Sequence, residues 1–447
     1  MDDSITREGL KRVIGIRELA ACSINNTIGG GIFVLPAIVA ASLGSSSIIA
    51  YVICGALIFM IIMCFAEIGA KITTTGGAYQ YIESNFGRYA GFLANTLHWF
   101  GYAIMADAAI ANALADTLSI FFPVLRNPAF RAIFFAILLG GLVYINIRGV
   151  KLGVLMVETS TYAKLIPLFI IIVAGSFFIS PENLSWRGLP EIKSLGEVSL
   201  VLFFAFIGSE SALSTGGEIK NPKKTVPVGI LLGIGGTILI YILIQIVSQG
   251  VLGNELADFK EAPLAELAVR TIGPAGLVII TVGMIISIFG TISGDVLAGP
   301  RILFGASKEK MLPGFLAKVH PEFKTPYLAI IIYGSIIFLL SISGGFIFLA
   351  TLSSAAILIV FLGVVSAVIK LRMKSDNSVQ GKSFKVPFGI IIPIISIVTI
   401  LWFLSNLAIN EIISISVFLF ILSIIYFLIV RRKPELFAEQ KQNNHAG

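Results

Sequence analysis

Apolar runs close to the roughly 20 residues that a helix needs to cross a bilayer recur along nearly the whole chain, separated by short polar connectors. Twelve such runs lie at approximately 13–41, 48–70, 91–120, 132–148, 153–179, 195–216, 228–251, 275–304, 327–343, 347–369, 388–408 and 412–430. The pattern predicts an all-α polytopic membrane protein with 12 transmembrane helices and leaves no stretch for a separate soluble domain. The connector SKEKMLPGFLAKVHPEFKTP, between the eighth and ninth runs, is long enough for one short surface helix before Pro326. GNELADFKEAPLAELAVRTIG, after the seventh, has room for helices over the outer mouth. Pro387 and Pro393 in KVPFGIIIP mark a helix start preceded by an extended turn.

Two runs break the pattern in the same way. The first carries Asn25, Asn26 and Thr27, then Gly29, Gly30 and Gly31, at mid-depth; the sixth carries Gly208, Ser209, Glu210 and Ser211 within FFAFIGSESALSTGGE. Lipid-facing helices do not hold such residues there. If runs one to five and six to ten are two repeats, the breaks fall at corresponding places, and an odd number of helices per repeat inverts the second in the membrane. Paired glycine-interrupted segments of this kind point to a transporter's binding site. The chain then divides into a cytoplasmic segment 1–12, a first repeat 13–179, a second repeat 195–369, two further helices within 388–430 and a cytoplasmic tail 431–447.

Composition excludes a soluble globular protein: 56% of the 447 residues are hydrophobic, 13% are charged, and the mean hydropathy is +0.95. The net charge of +7 does not signal nucleic acid, because the basic residues alternate with the apolar runs. Arg126, Arg131, Arg187, Lys193, Lys260 and Arg270 fall on one face and Lys164 inside a run, which leaves 25 of the 32 Lys and Arg residues on the other face. The positive-inside rule therefore puts both termini in the cytoplasm. The first run is too long for a cleavable signal and reads as a retained span, and the short tails suit a plasma membrane, that of a bacterial inner membrane. Cys22, Cys54 and Cys64 lack metal-ligand spacing and read as small apolar fillers. His98, His320 and His445 are isolated, so neither a metal nor nucleophilic catalysis is expected; no GxxxxGK[ST] loop implies ATP, and no cofactor is expected.

An opened helix frees backbone groups, amides at the start of its second half and carbonyls at the end of its first. Such a break suits a zwitterion. The amides of Gly30, Gly31 and Ile32 are placed to hold a carboxylate, and the carbonyls of Thr27, Phe204 and Ile207 to accept from an α-ammonium group. Close packing of small residues is the plainer reading of the glycine run, and the break in the sixth run weighs against it. Lys164, in TYAKLIPLF, is a lone cation deep in an apolar helix, expensive enough to be functional by default.

GGGIF at Gly29 to Phe33 and GGAYQYIESNFGR at Gly76 to Arg88 resemble two motifs of the amino acid, polyamine and organocation transporter superfamily, the GSGIF signature and the loop after the second span. YINIRGVK at Tyr144 to Lys151, AFIGSESALSTGGEIKNPKKTVP at Ala205 to Pro227, and PRILFGASKEKMLPGFLAKVHPEFKTP at Pro300 to Pro326 resemble three more. The resemblance runs from about Ile14 to Pro393. It implies a five-plus-five inverted-repeat (LeuT-like) fold with discontinuous helices 1 and 6 and a substrate held at the two unwound segments, where Asn26, Thr27, Gly29, Gly30, Gly31, Ile32, Phe204, Ile207 and Gly208 would contact it. Phe204 matches a family aromatic gate. Gly30 departs from the family serine, so a hydroxyl contact to the carboxylate is missing. Gly294 stands where similar arginine–agmatine exchangers carry a tryptophan, which argues against an agmatine-type substrate. A lysine in the position of Lys164 takes the place of a second sodium ion in similar transporters, against carbonyls of span one and hydroxyls of span eight. Proton coupling and a purely structural tie both remain open for it.

Glu210 belongs to a family motif and caps the unwound segment, with proton sensing as the sharper alternative. Asp107 and Asp295 must face the bundle interior or a wet cavity, where each could pair with a cationic substrate, with Lys164 or with Arg301. Glu67, Glu158 and Glu218 lie nearer span ends and read as solvated or capping carboxylates. Gly101, Ala106 and Gly294 would leave a roomy pocket. The expected function is sodium-independent amino acid transport by alternating access, coupled to protons or to exchange; the expected partners are an amino acid, protons and the lipid bilayer, and no nucleic acid. A polyamine or basic amino acid carrier and a non-transporting sensor on the same scaffold are the alternatives, and an enzyme is not expected.

Overall fold

The computed structural model describes residues 12, 14–72, 77–148, 164–186, 188–308, 313–374 and 384–432. Glu158, Gly76, residues 149–151 at the end of one family-like motif, residues 309–312 inside another and most of both terminal segments lie outside the described residues. Sixteen α-helices follow along the rest: α1 (Ile16–Thr27), α2 (Leu35–Leu43), α3 (Ser47–Gly69), α4 (Ala78–Phe86), α5 (Arg88–Thr96), α6 (Ile104–Leu118), α7 (Pro128–Arg148), α8 (Lys164–Ser176), α9 (Ile192–Phe203), α10 (Pro222–Leu252), α11 (Pro263–Ile272), α12 (Pro274–Lys308), α13 (Tyr327–Ser343), α14 (Phe346–Lys374), α15 (Ile391–Ser405) and α16 (Ile409–Arg432). No strand occurs among the described residues, only one isolated parallel bridge between Ile14 and Ile219.

Six helical stretches among these residues are long and apolar enough to cross a membrane by length and composition, and α8, α13 and α15 are shorter apolar helices. The 35 residues of α12 rise about 52 Å at 1.5 Å each, well beyond a hydrocarbon core of roughly 30 Å. Large apolar side chains point outward from several helices, among them Ile137 on α7 and Phe420 and Phe427 on α16. Water would penalise that surface, whereas lipid does not.

Both predicted breaks are present. After α1 the chain leaves the helix at Ile28 (φ −77°, ψ 94°), passes a 3-10 turn at Gly31–Phe33 and re-enters helix at α2. After α9 a 3-10 turn at Phe204–Phe206 gives way to extended Ile207, then to Gly208 at φ 123°, and a 3-10 stretch follows at Ser209–Glu218. A third irregularity was not expected: Leu97–Ala103, between α5 and α6, is a π-helical segment. The connector after α10 holds a 3-10 turn at Gly253–Asp258 and α11, and the one after α12 holds a 3-10 turn at Gly314–Ala317 rather than an α-helix.

Two packing groups flank the breaks. In the first, α1 lies on α10 through Gly229 and Gly233, where an added Cβ would come within 3.0 Å of Leu19 Cβ and 2.5 Å of Ser23 Oγ. Small residues four apart let helix backbones approach this closely in lipid. In turn, α10 packs on α3, and the Ile14 bridge ties the start of α1 to Glu218 and Lys220 at the end of the second broken segment. The second group joins α6, α7, α12 and α13. Edge-on rings fill the core where α3, α9, α14 and α15 meet, with Phe203 packed on Phe361 and Phe403 at 6.4 and 5.7 Å.

Two expectations fail here. Cys54 and Cys64 are buried, but Cys22 is exposed, and its Sγ accepts from Asn26 Nδ2 at 3.6 Å. Glu67 is not solvated: it is fully buried at the end of α3 and accepts from Lys71 Nζ at 3.3 Å, from Val386 N at 2.8 Å and from both Nε and Nη2 of Arg372. The fork–carboxylate pair joins α3 to α14 and to the approach to α15. Removing one partner leaves a buried charge uncompensated, so Arg372→Ala is expected to destabilise the protein by roughly 3 kcal/mol. A thermal unfolding series in detergent checks this, with Lys71→Ala, whose ammonium is partly exposed, as the milder control.

Candidate functional site

The two breaks face one cavity of about 440 Å³, within the range of small-molecule sites. It is walled by Asn25–Thr27 and Gly29–Gly31 from the first break, by Phe204, Ala205, Ile207, Gly208 and Glu210 from the second, and by residues of the π segment, α6, α8 and α12. Toward Gly77–Tyr79 it reaches Ser214, whose side chain is exposed.

Gly208 explains how the breaks come together. Its φ of 123° is open to glycine but rarely to a residue with a side chain. A Cβ there would stand 2.3 Å from the carbonyl oxygen of Asn26 and 3.2 Å from Thr27 N. The amide of Gly208 donates to Glu210 Oε2 at 3.0 Å, so Glu210 closes the break with one oxygen; its other oxygen, buried, has no hydrogen-bond partner among the described residues. Gly29 and Gly30 differ in direction. A Cβ on Gly29 would meet nothing within 4 Å, whereas one on Gly30 would press on Ile288 Cγ1 at 2.9 Å and Ile110 Cβ at 3.2 Å. The family serine would therefore send its side chain toward α6 and α12, and glycine lets the backbone lie against those helices instead. Gly31 sits under the Phe204 ring, which itself stands edge-on to Phe346 at 5.8 Å.

Lys164 reaches from α8 to the carbonyls of the first break. Its Nζ donates to Asn25 O at 2.9 Å and to Ile28 O at 2.7 Å, while Ser287 Oγ of α12 donates to Gly29 O at 3.4 Å. No carboxylate among the described residues lies within ion-pair distance of it. The ammonium charge therefore rests on backbone dipoles at the end of α1, the favourable end for a cation.

All but one of the residues read from sequence as contacting substrate line the cavity; the exception is Ile32, whose side chain is fully buried in the core. Of the residues expected to leave the pocket roomy, Ala106 and Gly294 line it, but Gly101 packs on Ala356 of α14. The Thr27 carbonyl accepts from Tyr241 Oη at 3.2 Å. Asp107 and Asp295 face each other across the cavity wall rather than pairing with Lys164 or Arg301. Sequence reasoning missed His98, Trp99 and Tyr102, which the π segment turns into the cavity. The cluster HWFGY carried the only signal, and π segments are frequent at functional sites. Among the described residues no group of His, Cys, Asp and Glu could hold a metal ion.

Two helices opened at mid-length around a shared polar cavity, within a shell of lipid-facing apolar helices, define a multi-pass membrane transporter. A family described as amino acid permease matches residues 14–435, and the chain belongs to it. The serine/threonine exchanger SteT of Bacillus subtilis (strain 168) is 30% identical, covering 91% of this chain and 93% of its own. From the same organism, a methylthioribose transporter is 29% identical over 95% of each chain, and the branched-chain amino acid permease BcaP is 26% identical over 96% of this chain and 95% of its own.

Proposed function

We propose that the chain carries amino acids across the plasma membrane of a bacterium by alternating access, without sodium, in exchange for a second amino acid or together with protons. On this reading twelve spans follow from the interrupted helices 16–43, 88–118 and 192–218, the shorter apolar helices α8, α13 and α15, and the six long stretches, of which the first, Leu35–Gly69, contributes α3 alone because its α2 belongs to the first interrupted helix. Residues 13–179 and 195–369 are then inverted repeats, each opening with its broken helix, and 388–430 adds two helices. Both termini are cytoplasmic under the positive-inside rule, which makes the side of Gly77 and Ser214 the cytoplasmic one and the cavity inward-facing.

The observation that carries the reading is the Nζ of Lys164 on Asn25 O and Ile28 O, beside two breaks that open onto one cavity. In similar transporters a second sodium ion sits against carbonyls of the first span; here an ammonium takes up those of Asn25 and Ile28. The free amides beyond the first break hold the substrate carboxylate; Phe204 covers it, and rocking of the α1, α3, α10 group against the α6, α7, α12, α13 group exchanges the open side. The presence of a serine/threonine exchanger among the relatives favours exchange over symport.

Uptake of a panel of labelled amino acids and putrescine into sodium-free proteoliposomes tests this. Accumulation that requires preloaded unlabelled amino acid makes the protein an exchanger, and accumulation driven by an inward proton gradient makes it a symporter. Binding without flux would turn the reading toward a sensor.

A further inference from the structure

Two carboxyl groups in the cavity wall have no part in the scheme above. Asp107, on α6, is fully buried, and apart from the carboxyl of Asp295 its oxygens have no hydrogen-bond partner among the described residues. Asp295, on α12, is half-buried and faces Asp107 closely enough for the two to interact electrostatically. No Lys, Arg or His nitrogen among the described residues lies within 4.0 Å of either. Arg301 is six residues along α12 from Asp295, which at about 100° per residue puts it on another face, and its side chain is exposed. Lys164 is engaged with the carbonyls of the first break. Two adjacent carboxylates in such a place cannot both stay ionised without a positive charge between them.

We propose that Asp107 and Asp295 form a cation subsite, which takes the distal ammonium of a dibasic amino acid such as lysine or ornithine while the glycine break holds its α-carboxylate. The proposal rests on the transporter reading and narrows its substrate class. The geometry supplies the span. The Cβ direction of Gly30 meets Ile110 and Ile288, so the glycine run lies directly against α6 and α12. Asp107 is three residues before Ile110, one turn along the same helix and a rise of roughly 4.5 Å, which the four-carbon stem of lysine covers. Between the two ends the wall is apolar or small, with Ala106, Ile110 and Gly294. Tyr102 and Tyr333 stand close to both carboxyls, and Tyr333 Oη, buried, has no partner among the described residues. Of the two, Tyr102 lines the cavity, and its ring adds a face on which an ammonium is stabilised. The relatives named for neutral amino acids share the scaffold at 30% and 26% identity, and pocket chemistry does not follow from a shared fold.

Calorimetric titration of the full-length protein in lipid nanodiscs with L-lysine and L-norleucine, which lacks the distal ammonium, tests the proposal. Lysine is expected to bind about tenfold or more tightly than norleucine, because the empty pair leaves charge without a partner. Nε-acetyl-lysine, of similar length and uncharged, should lose that preference. Asp107→Asn and Asp295→Asn should each bring lysine and norleucine to within about threefold. Norleucine binding as tightly as lysine to the wild-type protein overturns the subsite and leaves the transporter reading standing, even if neither variant folds. Binding of no amino acid at all overturns the transporter reading and the subsite with it.

Discussion

Gly208→Ala is expected to abolish transport. The position has φ 123°, and the added methyl would stand 2.3 Å from Asn26 O and 2.8 Å from its carbonyl carbon. Both obstacles are backbone, so no rotamer change relieves them. Backbone strain of this kind costs about 1–3 kcal/mol on its own, and the contact can be relieved only by driving the two broken segments apart. Separation breaks the Glu210 cap on the Gly208 amide and shifts the amides and carbonyls that hold the substrate. Displacements of about 1 Å at positioned sites cost on the order of 100-fold in rate, and uptake by this variant should fall by at least that factor. The variant should still run as a single species on size exclusion, because the packing of α1 on α10 through Gly229 and Gly233 is untouched. A variant that transports at a rate close to wild type would show that the two breaks need not touch.

Lys164→Met should have an effect of similar size. Methionine keeps much of the apolar stem but has no donor for Asn25 O and Ile28 O, which Nζ reaches at 2.9 and 2.7 Å. Each orphaned carbonyl costs about 1–3 kcal/mol, and both sit at the end of α1, next to the substrate amides. Exchange as well as any proton-driven uptake should therefore drop by on the order of 100-fold. Lys164→Arg should not rescue it, because a rigid planar fork does not fit where a compact ammonium serves two carbonyls. Exchange that persists in Lys164→Met, with only the response to a proton gradient lost, would assign the residue to coupling alone.

The breaks were legible in the sequence because lipid tolerates few polar or glycine residues at mid-depth, so GGG and GSES stood out against their apolar flanks. The ninth run even has the bounds of α13, since Pro326 and Gly344 punctuate it sharply. What could not be read depends on which side of a helix faces which neighbour. The approach of Asp107 to Asp295 joins two helices far apart in the chain, and the Glu67–Arg372 pair spans 305 positions. Nothing local in the sequence marks either. The π segment shares its composition with ordinary helix, so periodicity does not reveal it, and only the aromatic cluster hinted at a site. Gly101 and Gly294 have the same composition, yet one packs on Ala356 and the other opens onto the cavity. The Lys164 contacts with span-one carbonyls were expected only through the resemblance, and the distances give them a physical basis: the ammonium completes the hydrogen bonding that the opened helix leaves undone, while the span-eight hydroxyl of Ser287 turns to Gly29 O instead of to Nζ.

In the proposed cycle the cavity between the two breaks binds an amino acid and carries it across the membrane without sodium. Counterflow of labelled amino acid into sodium-free proteoliposomes preloaded with the same unlabelled compound, compared between the wild-type protein and Gly208→Ala, tests it most directly. The wild-type protein should accumulate label saturably, and the variant should show only background flux. Flux that appears only when sodium is added, or that is equal in the two proteins, would contradict it.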